Sequence, residues 1–174
     1  MPSRIANSAI GIVVTAASLA SAACGNPAPM PAPASLADAL DTLRRGGRID
    51  RAHVEQAFGA RLATTGETDG PFARFAARDV RVDGATVTID LREPVAGRGA
   101  TAGALLNLRI GGDCLARAAV EERYGPLAVS DLPRGRSLDE TMGMSREEPW
   151  GRLTFGFAER APDCLATVTF AAKD

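Results

Sequence analysis

The chain is short of the residue types on which enzyme active sites draw. Its 174 residues include one histidine, His53, one lysine, Lys173, and three cysteines, Cys24, Cys114 and Cys164. A Ser-His-Asp or Cys-His site would have to use His53. No Gly-x-Ser-x-Gly elbow, His-Glu-x-x-His, Cys-x-x-Cys or phosphate-cradling glycine loop occurs. Aromatic residues are 5% of the chain, so the acidic pairs Glu121-Glu122 and Glu147-Glu148 lack the aromatic surroundings of a catalytic cleft. Charge of one sign is missing as well. Lys+Arg 20 stand against Asp+Glu 21, which leaves no net field to hold nucleic acid. Met142 and Met144 offer soft thioethers of the kind Cu(I) takes, but no histidine or cysteine stands near them in the sequence. These absences predict a protein that is not an enzyme and needs no cofactor or metal. A hydrolase built on His53 is the alternative.

What is present begins at the N-terminus. Arg4 precedes an apolar run from Ala9 to Ala20, then small residues and Cys24. That layout predicts a bacterial secretory signal over 1–23; the run is short of the ~20 apolar residues that a spanning helix needs. An odd cysteine count in an exported chain asks for an explanation. Lipidation of Cys24 leaves Cys114 and Cys164 to pair as a disulfide, the expected state in an oxidising compartment. Residues 24–34, rich in proline and alanine, read as an extended tether. The stretch before Cys24 resembles a lipobox, with Ser21 where leucine is usual and Ala22 and Ala23 behind it. The resemblance implies a lipid-anchored envelope protein facing the periplasm, on the outer membrane. Cleavage after Ala20-Ser21-Ala22, giving a soluble periplasmic or secreted protein, is the alternative.

The remainder, split as 35–112 and 113–174, carries an internal repeat. Arg51-Ala52-His53-Val54-Glu55-Gln56-Ala57-Phe58-Gly59 recurs as Arg117-Ala118-Ala119-Val120-Glu121-Glu122-Arg123-Tyr124-Gly125, and Ile49 and Leu115 stand five positions before the two valines. Each copy reads as an amphipathic helix that stops at a glycine. Three strands are expected after the first copy: 73–82, 85–91 and 104–110. Asp83-Gly84 marks a type I′ hairpin that sets Val82 opposite Ala85 and Val80 opposite Val87. Three more are expected after the second, 127–130, 152–158 and 164–171. A further helix opens the domain, capped by Ser35, with Leu36, Leu40 and Leu43 as its stripe, Arg44 and Arg45 in its last turn and Gly46-Gly47 as its stop. The fold class is therefore α+β: helices on one face of an antiparallel sheet, as two tandem helix-plus-three-strand repeats. Cys114 and Cys164 are expected at element ends facing the core, and Asp113 is expected to cap the third helix because Ala116 cannot.

The helix pattern resembles the repeats of the β-lactamase inhibitor proteins and the SmpA/OmlA outer-membrane lipoproteins. Ile49 and Asp50 stand where that pattern has Met and Thr, Val54 where it has Val, and Gly59 at its stop; Leu115, Val120, Gly125 and Pro126 correspond in the second copy. Arg48 and Cys114 replace the starting glycine. The resemblance implies a unit that binds other proteins of the envelope or periplasm; an immunity or inhibitor protein neutralising a periplasmic enzyme is the alternative within that class.

One long connection is expected over 131–149, and so long a loop in a compact domain points to use. It holds Arg134, Arg136, Asp139, Glu140, Met142, Met144 and Arg146, followed by Trp150. Arginine, methionine and tryptophan are favoured at protein contacts, so these eight residues are the expected partner-binding set.

Overall fold

The computed structural model describes residues 32–173; the expected signal, Cys24 and most of the tether lie outside the described residues. Among the described residues no helix is long and apolar enough to cross a membrane. The chain runs α1 (Leu36–Gly46), α2 (Arg51–Phe58), β1 (Ala63–Asp69), β2 (Phe72–Val82), β3 (Ala85–Pro94), β4 (Leu105–Gly112), α3 (Arg117–Tyr124), β5 (Ala128–Asp131), β6 (Thr141–Glu148), β7 (Gly151–Ala158) and β8 (Leu165–Ala172).

Local chemistry sets most of these bounds. The Ser35 hydroxyl accepts the Asp38 N–H at the start of α1, and Gly47 ends the helix with φ +65°. Asp50 caps α2 by accepting the His53 N–H, and Gly59 ends it with φ +60°. In α3 the expected cap is not used. Asp113 donates its own N–H to the Gly84 carbonyl, while Ala116 offers no side chain; the first helical N–H, of Arg117, goes to the Asp163 carbonyl at 2.8 Å. A tertiary carbonyl thus replaces the missing side-chain cap.

All eight strands form one antiparallel sheet in the order β1-β2-β3-β4-β8-β7-β6-β5. The order is a mirror: α2 and α3 are each followed by a four-strand meander, and the two meanders meet at β4 and β8. The helix-plus-strand repeat expected from the sequence is therefore four strands long in each half. The strands not foreseen are β1, an edge strand, and β6, which lies in the stretch expected to be loop.

The Asp83-Gly84 hairpin forms as expected, with φ +43° and +81° at its two turn residues and Val80 opposite Val87, Val82 opposite Ala85. Beyond it, Val87, Ile89 and Leu91 are fully buried, as are Leu106, Leu153, Phe155, Val168 and Phe170. The repeat positions bury alike: Val54 and Phe58 from α2, Val120 and Tyr124 from α3. With Leu36, Leu40 and Leu43 of α1 they form one core cluster with those strand residues, so all three helices cover the same face of the sheet. The Arg-Glu pair of the repeat is also duplicated in space. Arg51 Nε meets Glu55 Oε1 at 2.9 Å, and Arg117 Nε meets Glu121 Oε1 at 2.9 Å.

Candidate functional site

The stretch expected as one connection is divided. Only 132–140 joins strands; Thr141–Glu148 is β6, paired to β5 and β7. The reason is alternation. Met142 and Met144 face inward opposite Phe157 and Phe155, with Gly143 between them, and Met144 is core. Arg146 and Glu148 continue the inward row. The buried Glu148 carboxylate is met by Arg146 Nε at 2.9 Å and Arg44 Nη1 at 3.5 Å, and Arg146 also donates to the Tyr124 carbonyl. Pairing with two arginines lets a charged strand end lie beneath α1. Trp150 is structural too: its Nε1–H donates to the Arg44 carbonyl at 3.0 Å, and its ring stacks on Phe170 with centroids 5.6 Å apart.

Of the eight residues expected to bind a partner, Arg134, Arg136 and Asp139 are exposed on the 132–140 connection, where Asp139 pairs with Arg160. Glu140 is half-buried and accepts the Arg134 backbone N–H. Met142, Met144, Arg146 and Trp150 are built into the body of the domain. Three residues that periodicity did not single out share this hairpin. Val129, Leu132 and Leu138 are the exposed large apolar side chains among the described residues.

Cys114 and Cys164 are bonded. They sit at element ends, but not facing the core as expected: Cys114 is exposed and Cys164 half-buried. The bond lies where β4 ends and β8 begins, flanked by the Leu165 N–H to Leu115 carbonyl bond at 2.9 Å and an isolated bridge between Ala116 and Cys164. It therefore staples the seam between the two halves.

The face of the sheet opposite the helices carries none of them. Side chains alternate in a strand, so the partners of the buried row point outward here. One outward line runs Thr88, Arg109, Thr167, Gly156, Gly143, Asp131 across six strands. The next runs Asp90, Asn107, Thr169, Thr154, Ser145, Ala128, with Thr169 Oγ1 donating to Asn107 Oδ1 at 3.0 Å. Gly143, Ser145 and Gly156 are buried along these lines, Asn107 and the threonines are half-buried, and Asp90, Arg109, Ala128 and Asp131 are exposed. At one end the surface falls into a groove of about 610 Å³ lined by Arg109, Thr141, Asp139, Arg160 and Thr167.

A second concavity, of about 740 Å³, opens at the other end of the sheet, between the α1–α2 turn, the 95–104 connection, the β6–β7 turn and the end of β8. Its charged lining is Arg48, Asp50, Glu93 and Lys173, with Trp150 beside them. Burial raises the Glu93 carboxyl above its ordinary range against the opposing pull of the Arg51 backbone N–H, and the Asp50 charge raises it further. At Asp50 burial also pushes upward, but the backbone N–H and ring of His53 together outweigh it, so that carboxyl sits below its ordinary value. His53 Nδ1 lies 2.8 Å from Asp50 Oδ1. The ring thus braces the cap of α2.

The described residues contain no group of three His, Cys, Asp or Glu side chains placed to hold an ion. Compared with known proteins, the chain matches no family, no curated relative and no solved structure.

Proposed function

We propose that this protein is an envelope-anchored lipoprotein whose domain binds another protein and performs no chemistry of its own. The observation that carries the reading is the uncovered sheet face. Helices cover one side of the central strands, while the other carries the exposed Arg109 and the half-buried Thr88, Asn107, Thr154, Thr167 and Thr169 across the seam of the two halves. Short polar chains on a rigid sheet cost little conformational entropy to bury. Arg109, exposed at the mouth of the groove, supplies a charged anchor of the type enriched at contact centres. The Cys114–Cys164 bond suits an oxidising compartment, in keeping with export and with an acylated Cys24. On this reading Asp139 and Arg160 border the docking surface, and Arg134 and Arg136 extend its rim.

The test is site-specific photocrosslinking in intact cells. A photoreactive residue at Thr167 is expected to capture a partner, and one at Ala118, exposed on α3, is expected to capture none. Capture from Ala118 alone would move the docking surface to the helical side. Mass spectrometry of the mature protein checks the anchor, with a diacylated N-terminal Cys24 as the expected result.

A further inference from the structure

We propose that the 740 Å³ cleft between the start of α2 and the β6–β7 turn is a saccharide-binding site, separate from the sheet face. Three features of its lining select the ligand. Its charged side chains are two cations, Arg48 and Lys173, and two anions, Asp50 and Glu93. A lining with no net charge disfavours phosphate-rich ligands and polyamines alike and suits a neutral one. Those same four residues carry hydrogen-bonding ends and line one space, which suits a ligand dense in hydroxyls. Trp150 supplies the apolar surface on which a sugar ring packs, held in place by its bond to Arg44 and its stacking on Phe170.

The recessed carboxyls differ in what they have left to offer. Asp50 is committed to His53 and to Arg48, whose Nη2 lies 3.5 Å away. Glu93 accepts one backbone N–H, from Arg51, and its carboxylate keeps further lone pairs for a ligand hydroxyl. The volume is about that of a small-ligand pocket, and alanines such as Ala102 on the 95–104 connection leave it unobstructed.

Trp150 is the single tryptophan of the chain, so its intrinsic fluorescence reports on this cleft. The experiment titrates the purified, disulfide-bonded full chain with chitotetraose, cellotetraose, spermidine and pyrophosphate. A saturable change in emission with one or both saccharides is expected. Glu93→Gln is expected to weaken it about tenfold through a lost charge-assisted bond, and Ala102→Trp to abolish it by filling the space. Circular dichroism of both variants checks the fold. Silence with both saccharides, a response confined to spermidine or pyrophosphate, or an affinity unchanged in either folded variant would overturn the proposal. None of these outcomes bears on the sheet-face reading, whose crosslinks arise from the opposite end.

Discussion

Removing the Cys114–Cys164 bond is expected to lower stability by about 4 kcal/mol, because a closed loop with a sequence separation of 50 restricts the unfolded chain by that much in the chain-entropy model. The folded side of the equilibrium changes little. Cys114 is exposed and Cys164 half-buried, so a Cys114→Ala/Cys164→Ala double variant opens no core cavity. The backbone bonds on either side, Leu165 to Leu115 and Arg117 to Asp163, keep the local geometry. The assay is urea unfolding followed by far-UV circular dichroism. With a slope of about 2 kcal/mol per molar urea, the midpoint falls by about 2 M, and reductant added to the native protein reproduces the shift. A midpoint that moves by less than about 0.5 M would refute the argument that this bond acts by constraining the unfolded chain.

Arg146→Met is expected to cost about 3 kcal/mol, since it leaves the buried Glu148 carboxylate with Arg44 as its remaining partner; adding Glu148→Met recovers most of the loss in the same denaturation assay. Phe155→Ala empties a fully buried site against Tyr124, whose ring centroid lies 4.7 Å away, and is expected to cost about 4 kcal/mol by thermal unfolding. Glu55 gives a pH dependence. Burial pushes its carboxyl up, but the Leu62 N–H, Arg51 and Arg61 outweigh this and hold it below its ordinary value of 4.5. Its ionised form therefore stabilises the fold above that value, and the contribution disappears as pH falls through the lower, folded-state value. Glu55→Gln is expected to cost about 2 kcal/mol at pH 7 and to converge with the wild type in strong acid; a constant gap across the titration would contradict this.

The elements that were legible in the sequence are those governed by local chemistry. Ser35, Asp50, Gly47 and Gly59 mark helix ends because caps and left-handed stops act within a few residues. Asp83-Gly84 fixes a register because both turn positions need positive φ. What was not legible depends on distant neighbours. Arg146 read as a partner contact and Glu148 as half of an acidic pair until α1 and α3 bring Arg44 and the Tyr124 carbonyl over them, so β6 passed for loop. β1, with the sequence Ala-Thr-Thr-Gly-Glu-Thr-Asp, has no apolar period because it is a sheet edge. The cap of α3 comes from Asp163, which no reading of residues near Ala116 could supply. The cleft is assembled from segments far apart along the chain, and Asp50, Glu93 and Trp150 carry no common motif.

The position of β8 governs when this molecule is able to fold. As the last of the described strands, β8 fills the gap between β4 and β7, so neither meander closes on the other until it has arrived. A chain that emerges from its N-terminus thus waits with two unfinished edges, β4 and β7, which are open to wrong pairings during that interval. Losing as little as the stretch from Leu165 onward would leave two separated half-sheets rather than a slightly shortened domain.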